Sequence, residues 1–336
     1  MAQAIPNLKS IIAILTITVV HTSLLVMSRA AQRFVSITPR DIEVITWVYS
    51  LDGCQIADLR WLWPQGDKPF GPRNSCYRRI GELVSAGYLR AERLGSASGL
   101  GRGPYFLTLG PRGRALLAER LQLSKSDLHR LREIRAPFVA AHHLAICQFR
   151  TVLTIACRNT GLAKLVEWKS ERELRIPPVP RVEDPRPSDG RTPHAIPLIP
   201  DGEFTLAYPD GAAVVFKIEQ DMGTIPRKRL APRLRAQLLY SKQDHRPFLW
   251  VLPNKVRLDS VADWAQQEAR LLQIDPSLIW LTTQDRIDEH SILHPIWQVL
   301  GGPLISLVPD RMPSSSSSIV PGGALTGDEE GSRWNS

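Results

Sequence analysis

Three carboxylates in the second half of the chain fall where a β-hairpin would gather them. Pro200-Asp201-Gly202 opens one alternating segment, Gly202 to Ala207, and the next, Ala212 to Glu219, runs out through Lys217-Ile218-Glu219-Gln220-Asp221. Between them, Pro209-Asp210-Gly211 is a hairpin signal. In such a hairpin Asp201 lies at the same end as Glu219 and Asp221, and the two-residue strand period puts Glu219 and Asp221 on one face. Carboxylate oxygens are what Mg2+ binds, and a Mg2+ ion there would activate water against a phosphodiester. On that reading Asp201, Glu219 and Asp221 are metal ligands and catalytic residues, with Lys217 on the same face as Glu219. The plainer reading of the same residues is a turn with strand-end acids that are solvated or paired with local arginine. Mg2+ is thus one reading of the cluster, and no cofactor is fixed by it.

Two basic segments complete the set. Pro226 to Tyr240 carries Arg227, Lys228, Arg229, Arg233 and Arg235, which either grip phosphates or pair with the acids just before them. Near the N-terminus, Arg73-Asn74-Ser75-Cys76-Tyr77-Arg78-Arg79 opens a helical segment in which Tyr77, Ile80, Leu83 and Val84 are expected to face a core. Arg73, Asn74, Arg78 and Arg79 are left for other faces. Arginine forks onto guanine and asparagine onto adenine, so these four, with Arg102 in a Gly/Ser turn, are the expected DNA contacts. The net charge of +9 favours a polyanionic partner, and eleven Lys/Arg against five Asp/Glu fall between Cys54 and Arg120.

The elements needed to position these residues are legible in outline. Thr38-Pro39 starts a helix through Leu51, and Cys54 to Leu62 reads as a second. With the third helix, ended by Gly87, and strands Tyr88 to Leu94 and Tyr105 to Leu109, the order is that of a winged helix. The turn at 95–103 is then the wing. Ala140 to Arg158 is an amphipathic helix headed by His142-His143, neighbours that point to different faces and make no chelate, so one is expected buried and one exposed. Leu165 to Leu174 alternates like a strand, 175–200 reads as a Pro-rich loop, and strands Pro247 to Leu252 and Leu278 to Thr282 flank a helix from Ser260 to Leu272. The four scattered cysteines form no zinc knuckle or disulfide framework, as expected of buried thiols.

The reading divides the chain into an apolar segment 1–35, a winged helix-turn-helix 36–122, a helical connector 123–140, an α/β domain 141–311 and a low-complexity tail 312–336. The fold class is α/β, or α+β overall. The apolar run from Ile11 to Met27 is 17 residues, the lower edge for a membrane span. It reads as a start placed upstream of a natural one at Met27, or as an anchor, or least well as a signal peptide.

Three stretches resemble the replication-relaxation family of plasmids and mobile elements. They are Tyr77-Arg78-Arg79-Ile80-Gly81-Glu82-Leu83 with Gly87-Tyr88-Leu89, then His143-Leu144-Ala145-Ile146, then Pro200-Asp201-Gly202-Glu203-Phe204 followed by Ile218-Glu219-Gln220-Asp221-Met222-Gly223-Thr224 and the basic helix ending at Tyr240. The resemblance spans roughly 36–285 and implies a winged helix fused to a domain similar to the PD-(D/E)xK nuclease fold. One departure is plain: Asp221 stands where that nuclease pattern has lysine. The expected function is a DNA-binding accessory protein in replication, relaxation or mobilisation. The alternatives are a Mg2+-dependent nuclease or nickase and a winged-helix transcriptional regulator. Double-stranded DNA is the expected partner, with replication or mobilisation proteins and a homo-oligomer left open. The expected location is the cytoplasm, or a membrane only if 11–27 is inserted.

Overall fold

The computed structural model describes residues 35–62, 73–95, 102–122, 137–176, 178–185 and 195–309. The apolar run 11–27, the loop 63–72, the turn 96–101, the connector 123–136 and the tail from 310 lie outside the described residues, as do the side chains of Arg73, Asn74 and Arg102. Among the described residues no helix is long and apolar enough to cross a membrane.

The N-terminal unit runs α1 (Pro39–Ser50), β1 (Cys54–Gln55), α2 (Ile56–Leu62), α3 (Arg73–Ser85), β2 (Leu89–Gly95), β3 (Arg102–Leu109) and α4 (Pro111–Leu121). Thr38 caps α1 as its sequence promised, in a reciprocal capping box with Asp41. The expected helix from Cys54 is shorter, because Cys54 and Gln55 pair with Leu107 and Phe106 to make a third strand, order β1-β3-β2. Gly53 permits this: its φ is +100°, and a Cβ there would meet the Phe106 ring at 2.4 Å and the Leu107 carbonyl at 2.9 Å. Val44, Ile45, Val48, Leu59, Cys76, Ile80, Leu83 and Leu107 form the core. Tyr77, expected inside, is 41% exposed, and Cys76 fills the core position instead.

Asp58, at the start of α2, accepts from the Gln55 amide at 2.9 Å. Burial raises its carboxyl from 3.8 to about 6 against that bond. A raised carboxyl stabilises the fold below its unfolded pKa, and that contribution is lost as pH rises through the folded value. Asp58→Asn keeps an acceptor without the charge. It is therefore expected to be more stable than the native chain above about pH 6, by up to about 2–3 kcal/mol. The advantage should shrink to nothing towards pH 3.8. Denaturant midpoints across that range check it, and an advantage that grows in acid would refute the assignment.

α5 (Pro137–Thr160) follows, then β4 (Lys164–Ser170) and the short α6 (Glu171–Leu174). The expected strand to Leu174 stops at Ser170, whose hydroxyl and amide both bond Glu173 to cap α6. The stretch read as a Pro-rich loop contains a two-stranded ladder, β5 (Arg181–Glu183) and β6 (Ala195–Pro197). Val182 and Leu198 bury it against the next helices. After these come β7 (Gly202–Ala207), β8 (Ala213–Gln220), α7 (Arg227–Asp244), β9 (Phe248–Leu252), α8 (Lys255–Leu272), β10 (Ile279–Thr283), β11 (Trp297–Val299) and β12 (Leu304–Ile305).

Among the described residues the large sheet has seven strands, ordered β12-β11-β10-β9-β8-β7-β4. β8, β9 and β10 are parallel, crossed by α7 and α8, and the flanking pairs are antiparallel. Phe248, Trp250 and Leu252 pack under α7 and α8, while Leu249 and Val251 face α5. This alternation in a strand buried on both faces yields one helical layer on each side. α5 belongs to both cores: Cys147 packs in the N-terminal cluster, and Phe149 and Leu153 pack on the sheet. The expected boundary at 140/141 therefore falls inside one continuous helix.

Candidate functional site

Gly202 begins β7 under its neighbours' side chains, since a Cβ there would touch Ile218 and the Trp168 ring at 3.0 Å. That approach sets Asp201 beside the end of β8. Its Oδ2 accepts from the Gln220 amide at 2.8 Å and sits 3.1 Å from His142 Nε2. Glu219, 2% exposed, points from β8 toward α7. There Gln237 Nε2 donates to its Oε1 at 2.6 Å, and Gln237 is itself held by Trp250 Nε1 at 2.9 Å. Arg233, one turn earlier on the same helix face, joins the two acids. Its Nη2 donates to Glu219 Oε2 and lies 3.4 Å from Asp201 Oδ1.

The electrostatics follow from this packing. Burial disfavours charge on Arg233, but Glu219 and Asp201 outweigh it and hold the guanidinium charged. Burial would raise Asp201, yet His142 and Arg233 bring it below the ordinary carboxylate value. Burial would lower His142, and the Asp201 hydrogen bond and charge raise it instead. Glu219 is pushed well up by burial against the pull of Arg233.

The expected three-carboxylate cluster does not assemble. Asp221 shares a strand face with Glu219 but is drawn to α8, where Arg257 Nε donates to it at 2.5 Å, and its other oxygen takes the Gly223 amide at 3.1 Å. Lys217 is also turned away. It is buried, ion-pairs with Asp244, lies 3.7 Å from Glu203 and sits over the Tyr240 and Phe248 rings. A long cation two residues from Glu219 finds nearer acids at its own level of the sheet. Among the described residues no three His, Cys, Asp or Glu side chains form a metal-ligand set. The donor chemistry does not fit Mg2+ as it stands, because a guanidinium already bridges the two acids.

The basic helix divides by face. Arg227, Lys228 and Arg229 are exposed, with Arg227 donating to Gln267. Arg233 and Arg235 turn inward, the latter onto Asp184 and Glu268. In α3, Arg78 is exposed and makes only a 3.4 Å pair with Glu82 among the contacts described. Arg79, expected on DNA, is instead structural: its Nε and Nη2 fork onto buried Asp41 at 2.9 and 2.5 Å. The physical reason is that a carboxylate 1% exposed must be paired.

Sequence reasoning missed the joint that α5 makes. His142 reaches Asp201 and the Gln220 carbonyl, while His143 and Cys147 reach the Gly53 carbonyl at 3.2 Å. Neither histidine is exposed, contrary to expectation, because the helix is covered on both of these faces. The adjacency of the pair was the one signal for a helix with two partners. Arg150 caps the Ser50 carbonyl, and Arg172 pairs with Asp52 at 2.5 Å across the same junction. A cavity of about 320 Å³ opens there, lined by Asp52, His142, Arg150, Arg172 and Asp201 among others.

The replication-relaxation pattern matches residues 52–244, more than half the chain. The chain belongs to the replication-relaxation family. The matched stretch runs from just after α1 through α7, so it takes in the α5 joint, Asp201, Glu219 and Arg233. Membership points to plasmid or mobile-element replication or relaxation. Neither comparison with curated proteins nor comparison with solved structures found a match.

Proposed function

We propose that this replication-relaxation protein is a DNA-binding accessory factor whose N-terminal unit is a winged helix. The observation that carries the reading is the outer face of α3. Cys76, Ile80 and Leu83 anchor the helix in the core, leaving Arg78 with a side chain 76% exposed and Tyr77 beside it. An exposed helix with an arginine largely open to solvent, in a unit with a large excess of positive charge, suits a major groove and its phosphates. On the hairpin the exposed Arg93 guanidinium lies 4.7 Å from the centre of the exposed Tyr105 ring, a second cationic group in the same unit.

The second domain adds a separate cationic end. Arg227, Lys228 and Arg229 occupy the first turn of α7, where positive charge opposes the helix dipole. Positive charge there is unfavourable to the helix itself, and phosphate is the partner for which such placement is favourable. In this reading the large sheet is a platform for DNA and partner proteins, its carboxylates engaged with the protein's own donors.

Arg78→Ala is expected to weaken duplex binding by roughly 1–3 kcal/mol, about 5- to 150-fold, if the side chain reads a base. If it touches a phosphate, the salt dependence should fall by about one counterion. Anisotropy titrations at several salt concentrations separate the two. Unchanged affinity and slope in the folded variant would remove α3 as the reading helix. A parallel plasmid assay with Mg2+ tests the platform role, which metal-dependent nicking lost in Asp201→Ala would overturn.

A further inference from the structure

Every oxygen of the Asp201–Glu219 pair has a protein donor. Asp201 Oδ2 takes the Gln220 amide and His142, Glu219 Oε1 takes Gln237, and the remaining two oxygens share Arg233 Nη2. That single nitrogen lies between the two carboxylates, nearer Glu219 and 3.4 Å from Asp201, in the gap an ion shared by both would enter. It is held there by construction, because Arg233 and Gln237 are four residues apart on one face of α7, and Trp250 fixes Gln237 from below. The guanidinium also lies 5.9 Å from the Trp250 ring, a further attraction for a cation. Displacing it would leave Glu219, 2% exposed, to be neutralised by something else.

We infer that Arg233 is a resident, covalently tethered cation that occupies the metal position of the Asp201–Glu219 pair, so that the native chain takes up no divalent metal there and a metal site opens when Arg233 is removed. This goes beyond the DNA-binding reading and stands whether or not the α3 surface binds DNA. Asp221 takes no part in the pair and instead anchors α8 through Arg257.

The test uses the full chain, with Mn2+ alone as the probe. Electron paramagnetic resonance and calorimetric titration count bound Mn2+ in the native chain, in Arg233→Met and in Arg233→Met/Asp201→Asn. The native chain is expected to show no saturable binding that depends on Asp201, with or without duplex DNA added. Arg233→Met is expected to bind one Mn2+ with Kd on the order of 10⁻⁴–10⁻³ M, the range of weak carboxylate sites, and to lose it in the double variant. Melting in EDTA and in Mn2+ guards against a folding failure. If Arg233→Met is poorly folded without metal, restoration of its melting transition by Mn2+, absent in the double variant, supports the inference. Asp201-dependent Mn2+ binding by the native chain overturns it, and so does an Arg233→Met protein that neither binds Mn2+ nor is stabilised by it.

Discussion

Arg235→Ala is expected to destabilise the large domain by about 3–5 kcal/mol, enough to remove a large share of a typical domain's stability. Arg235 is 5% exposed and forks onto Asp184, Nε to Oδ1 at 3.0 Å and Nη2 to Oδ2 at 2.8 Å, while Nη1 lies 3.3 Å from Glu268. Asp184 and Glu268 are themselves 1% and 7% exposed. Truncation therefore removes the cation that two buried carboxylates share, and the loss of that counter-charge rather than any net worth of the triad sets the size of the effect. Arg235→Lys keeps the charge but loses the planar fork and should fall between the two. The damage should be local first. Asp184 directly follows β5, so backbone amides of Val182 and Ile196 should lose exchange protection before those of β9. Denaturant midpoints with hydrogen exchange measure both, and a loss below about 1 kcal/mol would mean the acids find water instead.

Arg79→Ala is expected to cost the N-terminal unit about 3 kcal/mol, with Arg78→Ala costing under about 1 kcal/mol. The two arginines are adjacent in sequence and opposite in role. Arg79 holds Asp41 from α3 across to the first turn of α1 and also donates to the Ser36 carbonyl at 2.8 Å, whereas the Arg78 side chain is 76% exposed. Burial raises the Asp41 carboxyl, but Arg79 and Thr38 outweigh it and the pKa falls below 3.8. A lowered carboxyl contributes stability that is present above the unfolded pKa and is lost as pH falls through the folded value. The penalty of Arg79→Ala should thus be full at neutral pH and diminish in acid below 3.8. Equal penalties at both ends would show that packing of the arginine stem, not the ion pair, is what is lost. One practical consequence follows for DNA binding: an Arg78/Arg79 double variant confuses recognition with unfolding, and Arg78→Ala alone is the informative change.

Much of the fold was legible from local pattern. Thr38-Pro39 starting a helix, Pro209-Asp210-Gly211 turning a hairpin and Phe248-Leu249-Trp250-Val251-Leu252 as a strand buried on both faces are each dictated by neighbours a few residues away. Local pattern failed where a long-range partner decided. Cys54-Gln55 has a helical context but pairs with β3, and Val182 and Leu198 lie in a Pro-rich stretch that only the surface of α7 and α8 makes worth burying. The antiparallel β11 and β12 are three- and two-residue strands: β11 exists because β10 is there to pair with, and β12 because β11 is.

For the site, the sequence by itself determined which residues share a face: Asp201 near Glu219 by the hairpin, Asp221 and Lys217 in phase with Glu219 by the strand period, Arg233 with Gln237 by the helix period. It also carried the excess of positive charge and the motifs of the replication-relaxation family. Only the tertiary structure decided which acid each base takes. Arg233 bridges Asp201 and Glu219, Arg257 claims Asp221, Asp244 claims Lys217, and Asp41 claims Arg79. The physical reason is that periodicity reports direction from a chain's own axis, whereas burying a charge demands an opposite charge within hydrogen-bonding reach, and that partner comes from whichever element packs there.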